Sequence, residues 1–269
     1  AKEKETVHIL TTTKAIKNGS PNVVFDSGVR VSSTIVGDDS ESGVAVLQVT
    51  TNFEVKPFTI LDTNALAQGA NVVVMSGRNL TTGSAVVSSG ITSEPGVWRM
   101  SSTTTWLSSM LEMDTPITSI QEGGAVIDLN GSLVGVVASQ PYQGNSRMEY
   151  AITANEIKLI YNAIKSNGKV MRGALGVVVR NVSSMLAYEK SAHGINIDMK
   201  SGLYVQTVVE KTDTEDGLQE GDIITMIDGI EMKSYQDVLA RLYMHSAGDT
   251  VNVSIIRGGE SKQIGVVLQ

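Results

Sequence analysis

The chain has 269 residues, enough for two sizeable cores, and carries a net charge of −7 with no run of basic residues. It contains no cysteine, which excludes disulfides, thiolate metal sites and a thiol nucleophile. A nucleic-acid partner is excluded because phosphate neutralisation needs a clustered basic face.

Aromatic residues make up only 4% of the chain, and Val, Ile, Ser, Thr and Gly dominate, a bias toward strands and turns. No stretch approaches the roughly 18 uninterrupted apolar residues of a membrane span, and no signal-peptide pattern is present. From Val7 to Ala151 short β-branched runs alternate with turn residues. Strands are expected over Val7–Leu10, Val29–Ile35, Val44–Val49, Asn71–Met75, Ser84–Ser89, Ala125–Asp128, Leu133–Ala138 and Arg147–Ala151. Turns are expected at Asn18-Gly19, Glu94-Pro95-Gly96, Asn130-Gly131 and Gly144-Asn145. Many short strands at close spacing predict an antiparallel barrel or sandwich.

A helix follows over 154–167. Thr153 and Glu156 form a capping-box pattern. Ile157, Ile160, Tyr161 and Ile164 recur at the spacing of one buried helical stripe, and Asn167-Gly168 ends it. The expected organisation is a first domain over 1–168, a linker over 169–172 and a second domain over 173–269. The second domain reads as strands Leu175–Val179, Gly202–Val209 and Asp222–Ile227, helix Tyr235–Tyr243, and strands Thr250–Arg257 and Lys262–Leu268. Gly173-Ala174-Leu175-Gly176-Val177 offers successive backbone N–H groups just before a strand. Such a loop can capture a peptide carboxylate while the peptide adds as an extra strand. Leu175 and Val177 would flank that carboxylate, Val238, Leu239 and Leu242 would supply the facing wall, and Arg172 would add positive charge. The competing reading is that the apolar residues are simply core, which holds outright for two of the three helix positions.

The run Gly202-Leu-Tyr-Val, the motif Gly217-Leu-Gln-Glu-Gly-Asp-Ile-Ile-Thr-Met-Ile-Asp-Gly229, which follows Asp216, and Gly248-Asp-Thr-Val together resemble a PDZ domain of the HtrA type. The segment Asp114–Val137, with Glu122-Gly123-Gly124 at its centre, resembles the active-site segment of HtrA/DegP-like trypsin-fold proteases. The resemblance runs from His8 to the C-terminus. It implies a mainly β molecule: a trypsin-like double β-barrel, short of N-terminal strands here, followed by a PDZ domain. The opening Ala1–Thr6 has no Met and enters a strand at once. Residues upstream, with a membrane anchor or signal, are therefore expected, and the family's oligomer contacts fall largely in that region.

The three catalytic columns implied by the resemblance are altered. The His column of a segment like Ile-Leu-Thr-Asn-Asn-His-Val holds Lys14, the Asp column of Asp-Leu-Ala-Val-Leu holds Gly43, and the Ser column holds Glu122. A trypsin-like site needs a hydroxyl, an imidazole to take its proton and a carboxylate to orient that imidazole. All three are gone. Ile120 replaces the Gly two residues before the Ser, and Ala125 replaces the Pro after Gly-Gly. No catalytic residue is expected; a Ser119–Lys14 dyad is imaginable, but Ser119 lies three residues off the nucleophile column. Lys14 and Glu122 are expected to pair across the old cleft with partial burial. Asp38 and Asp39 read as solvated turn residues. Neither a metal motif nor a cofactor motif occurs. The resemblance implies an extracytoplasmic pseudoprotease that binds peptides, unfolded segments or hydrophobic C-termini as an adaptor, sensor or holdase. Its rivals are a serine endopeptidase with a non-standard residue set and a structural or regulatory subunit of an active paralogue.

Overall fold

The structure, a computed structural model, describes residues 5–17, 19, 21–79, 82–100, 107–137, 148–209 and 217–269. Asn18, Ala138, Gly144, Asn145, Arg147 and Asp216, which entered the expected turns, strands and motif, lie outside the described residues. The chain forms two compact units, Ala1–Val170 and Met171–Gln269.

The first unit opens with β1 (Glu5–Thr12), the single turn α1 (Thr13–Ile16), a hairpin of β2 (Asn22–Val24) and β3 (Arg30–Ser32), β4 (Thr34–Asp39) and β5 (Val44–Thr51). These give an antiparallel sheet in the order β1-β5-β4. Central β5 buries Val44, Ala45, Val46, Leu47 and Val49, which accounts for its continuous rather than alternating apolar run. The expected strand Val29–Ile35 is broken at Ser33. Its backbone N–H and its hydroxyl both turn to the Pro21 carbonyl, so the run divides between two sheets.

Next come β6 (Asn71–Arg78), β7 (Ala85–Met100), β8 (Leu107–Met113), β9 (Ala125–Ile127), β10 (Leu133–Val137) and β11 (Glu149–Thr153). They close a barrel in the order β10-β11-β8-β7-β6-β9. Its interior is filled by Val72, Val74, Leu111, Met113, Val126, Val134, Val137 and Ala151. Glu94-Pro95-Gly96, expected as a turn, lies inside β7. The register against β8 shifts on both sides of Glu94, and a bulge tolerates a Pro without an N–H and a Gly at φ +79. Strand β8, rich in Ser and Met, carried too weak a pattern to be expected.

Helix α2 (Ala154–Asn167) forms where its stripe predicts. The Thr153 hydroxyl accepts the Glu156 N–H at 3.3 Å. Gly168, at φ 74, donates to the Ile164 carbonyl and ends the helix. Ile157, Ile160 and Ile164 are fully buried, each contributing about 1.5–3 kcal/mol by leaving water. Tyr161 stays half-buried at the stripe's edge. A Cβ at Gly37 would overlap the Gly168 carbonyl, so the end of α2 sits directly on β4.

The second unit contains β12 (Val177–Asn181), α3 (Ala187–Ala192), β13 (Leu203–Val208), β14 (Ile223–Ile227), β15 (Ile230–Glu231), α4 (Tyr235–Leu242), β16 (Thr250–Arg257) and β17 (Glu260–Val267). The sheet order is β12-β13-β14-β16-β17, with β15 also pairing β14. Asp228 (φ 48) and Gly229 (φ 77) make the two-residue β14–β15 turn, for which Asp-Gly is suited. Helix α3 lies in the β12–β13 connection and was not expected. Asp222, fully buried, is gripped by Arg257 at 2.7 and 2.8 Å, a burial tolerable only because the charge is paired.

Candidate functional site

Lys14 stands on α1, whose first residue Thr13 donates its N–H to the Gly43 carbonyl at 2.9 Å. Two of the three altered columns thus share one corner of the first sheet. Gly43 itself has φ 74 and donates to the Asp39 carbonyl at 2.9 Å, closing the β4–β5 turn. Asp39 is not a solvated turn residue as expected. It is 5% exposed and its carboxylate accepts the Ser42 N–H at 3.1 Å, so the turn folds over it. Asp38 is exposed.

Glu122 occupies the second position of a turn spanning Gln121 to Gly124. The Gly124 N–H bonds the Gln121 carbonyl at 2.8 Å, with Glu122 at φ −53, ψ 129 and Gly123 at φ 72. Those angles define a type II turn, which demands glycine at its third position. A Cβ on Gly123 would lie 2.7 Å from Thr12 Cγ2, and one on Gly124 would overlap the Met75 carbonyl. The turn is therefore pressed against the residue that precedes α1. That approach lets Lys14 Nζ reach Glu122 Oε2 at 2.8 Å. The expected partial burial is not general: the Lys14 side chain is 67% exposed and that of Glu122 29%. Water reaches the lysine, and the pair is worth at most about 1 kcal/mol.

Among the described residues the histidine and serine closest in sequence to this pair are engaged elsewhere or stand apart from it. His8 Nδ1 lies 2.7 Å from the Tyr161 hydroxyl and its Nε2 3.2 Å from Gln48 Oε1, so its ring joins β1 to α2. Ser119 is exposed and its hydroxyl bonds no described residue. Ile120 is 50% exposed. Sequence reasoning passed over Gln121, which is fully buried. Its Nε2 donates to Ser88 Oγ (3.0 Å) and the Val74 carbonyl (3.3 Å), and its Oε1 accepts from Thr118 N–H (3.1 Å). Gln121 pins the turn that carries Glu122 to the barrel wall. Its acceptors on β6 and β7 leave no local signal in sequence, whereas Thr118 and Gln121 form the Thr-x-x-Gln capping pattern that could have marked it. Among the described residues no group of three or more His, Cys, Asp or Glu side chains could hold a metal.

The second unit presents the edge strand β12, paired only with β13. Strand pairing begins at Val177, later than the expected Leu175, because Gly176 turns through φ 69. The loop before it is tied at its base. Gly173 donates to the His245 carbonyl (2.9 Å), and Ala174 exchanges two hydrogen bonds with Gln269 (3.0 and 2.9 Å). The Leu175 and Gly176 N–H groups bond no described residue, leaving two adjacent donors for an anion. Leu175 packs in one core cluster with Val238 and Leu242, against which Val177, Val179 and Tyr235 are partly buried. Leu239 is buried at 1% exposure outside that cluster. All three helix positions are thus core, and the partly exposed apolar residues near the edge are Val177, Val179 and Tyr235.

The Arg172 guanidinium lies 4.8 Å from the Tyr243 ring centroid, a cation–π placement. Near the end of α4, burial pushes the Asp228 carboxyl up, but the Asn252 N–H, Arg241 and His245 outweigh it and hold it below the ordinary carboxylate range. Arg241 Nη2 lies 3.0 Å and His245 Nε2 3.5 Å from Asp228 Oδ2.

The chain matches a trypsin-like peptidase domain over residues 2–136 and a PDZ domain over residues 173–268. It is 28% identical over 269 residues to the serine protease Do-like HtrA of Lactobacillus helveticus, covering 97% of this chain and 63% of that protein. It is 26% identical over 266 residues to the periplasmic serine endoprotease DegP of Salmonella typhimurium, covering 97% of this chain and 54% of that one. The chain thus spans less than two thirds of the length of these relatives. In fold it is similar to the HtrA-type protease AlgW solved with a tripeptide, at TM-score 0.62 and 21% identity over 97% of this chain and 85% of that one. With the two domains in this order on a trypsin-like barrel and a PDZ sheet, the chain belongs to the HtrA/DegP-like family of trypsin-like serine proteases that carry a C-terminal PDZ domain.

Proposed function

We propose that this chain is a non-catalytic member of its family that binds peptide segments and protein C-termini through its PDZ unit, serving extracytoplasmic protein quality control as an adaptor, sensor or holdase. The observation that carries the reading is the ion pair at two of the catalytic columns, Lys14 Nζ to Glu122 Oε2 at 2.8 Å. An ammonium cannot take a proton from a nucleophile, and a carboxylate has no hydroxyl to surrender. The third column, Gly43, has no side chain to orient a base. Peptide capture is supported by the unpaired Leu175 and Gly176 N–H groups beside an edge strand. A periplasmic relative supports the extracytoplasmic placement.

Two measurements test this. The purified chain should not react with a fluorophosphonate probe. Labelling that disappears in a single Ser→Ala variant would make it a serine endopeptidase with an unrecognised residue set. An apolar-ended peptide should bind more tightly as its free acid than as its amide. Equal affinity for both, or none for either, would favour a purely structural or regulatory subunit.

A further inference from the structure

Residues 171–173 lead into the loop that carries the Leu175 and Gly176 N–H groups, and the turn after α4 holds them. Met171 N–H donates to the Tyr243 carbonyl at 3.2 Å, and Gly173 N–H to the His245 carbonyl at 2.9 Å. A Cβ on Gly173 would lie 3.2 Å from that carbonyl oxygen, so the two backbones run in contact. The backbone of His245 is thus an anchor of the loop. Its side chain is 23% exposed, and each ring nitrogen faces a carboxylate. Nε2 stands 3.5 Å from Asp228 Oδ2, and Nδ1 3.7 Å from Asp249 Oδ2. Among the described residues the buried Nε2 makes no hydrogen bond.

A neutral imidazole carries one N–H and one lone pair. Whichever nitrogen holds the hydrogen, the other turns its lone pair toward a carboxylate oxygen. Only the imidazolium presents an N–H to both. The charged groups around the ring come from four segments. Asp228 in the β14–β15 turn and Asp249 before β16 are the two acceptors. Arg241 on α4 opposes protonation, donating to the same Asp228 Oδ2 at 3.0 Å. Arg172, before β12, keeps its guanidinium against the Tyr243 ring. Asp249 Oδ2 accepts the Ser246 N–H at 2.8 Å, and among the described residues no other cation pairs with it. Arg241 therefore offsets Asp228 and leaves Asp249 to the imidazolium. We propose that His245 is a proton-operated latch on the peptide site, so that free-acid peptides bind more tightly in mild acid than in mild alkali. The imidazolium draws both carboxylates onto one ring, tightens the turn over 243–249 and steadies the Gly173 anchor. Its positive charge acts in the same direction on a peptide carboxylate. The proposal rests on the reading that this loop captures such a carboxylate, and it adds a control of that capture by pH.

The test uses the full chain, with fluorescence anisotropy of labelled octapeptides ending in Val, Leu or Phe, as free acids and as amides. Binding is measured at about pH 5.5 and about pH 8, within and just beyond the range where imidazoles change charge. Free-acid affinity is expected to be about threefold to tenfold higher at the lower pH, the size of one net hydrogen bond, and amide affinity to change less. His245→Gln is expected to remove that pH dependence. Asp249→Asn, which keeps an acceptor for the Ser246 N–H, is expected to reduce it, and His193→Gln to leave it intact. Nuclear magnetic resonance reads the coupling without peptide: the Gly173 amide signal should move together with the His245 ring as pH changes, and stay still in His245→Gln. An acid preference of equal size at both pH values, or a pH dependence that survives His245→Gln, overturns the latch and leaves the carboxylate loop standing. A wild-type chain with no acid preference at either pH removes the loop reading and the latch together.

Discussion

The contact between Lys14 and Glu122 lends itself to a double-mutant cycle with Lys14→Met, Glu122→Gln and the double variant. At contact distance two unit charges in bulk water attract by about 1 kcal/mol, and the 67% exposure of the Lys14 side chain places the pair near that limit. Side-chain ordering subtracts from it, so the expected coupling is about 0.2–1 kcal/mol. Each single variant should cost less than about 1 kcal/mol, because the remaining charge is not stranded in a dry interior. Urea unfolding followed by tryptophan fluorescence is the assay. Both tryptophans of the sequence, Trp98 and Trp106, precede residue 171 and the PDZ unit has none, so the PDZ unit does not contribute to the signal. Raising NaCl from about 0.1 to 1 M, which shortens the screening length from about 10 to 3 Å, should shrink the coupling. A coupling above about 2 kcal/mol that is indifferent to salt would refute the reasoning. It would mean that the pair is dehydrated and plugs the cleft as a buried bridge does.

Other consequences follow from particular groups. Gly43→Asp, the first step toward restoring a triad, should destabilise the first unit by about 1–2 kcal/mol, since φ 74 disfavours a residue with a Cβ; an unchanged urea midpoint would show that the turn relaxes freely. The triple variant Lys14→His, Gly43→Asp, Glu122→Ser should cleave casein weakly at best, and vigorous proteolysis would show a scaffold still arranged for catalysis. Asp222→Asn should destabilise the second unit by about 3–5 kcal/mol, because it leaves the Arg257 guanidinium facing a neutral amide at a fully buried site; circular dichroism melting checks this, and a loss below about 1 kcal/mol would argue against the burial. Asp228 is held below its ordinary value in the folded state. Its stabilisation should be complete above the unfolded value of about 3.9 and fade as pH falls through the lower folded value. Asp228→Asn should therefore lower the melting temperature at pH 7 and flatten its fall in acid, and parallel pH profiles would contradict the assignment.

Where chemistry is local, the sequence was informative. Thr153, the isoleucine stripe and Gly168 specify α2 because caps and helical periodicity act within a few residues. The Gly217–Gly229 motif marks a PDZ unit because its turns depend on glycines at set positions. The altered catalytic columns could likewise be read directly, since a triad requires particular residue types. Tertiary structure decided what depends on distant backbone. Ser33 leaves its strand for Pro21, and β7 continues through Pro95 on bulges against β8. Asp39 is covered by its own turn, and the three α4 positions expected to line a groove are drawn into the core. Lys14 and Glu122, 108 residues apart, meet because Gly123 lets the second turn press on Thr12. Gln269 reaches Gly176 only because the last strand returns to pair beside the loop. Residue identity determined which side chains stand at Lys14, Gly43 and Glu122. The long-range packing of turns and strand ends determined which charges meet and which donors are left open.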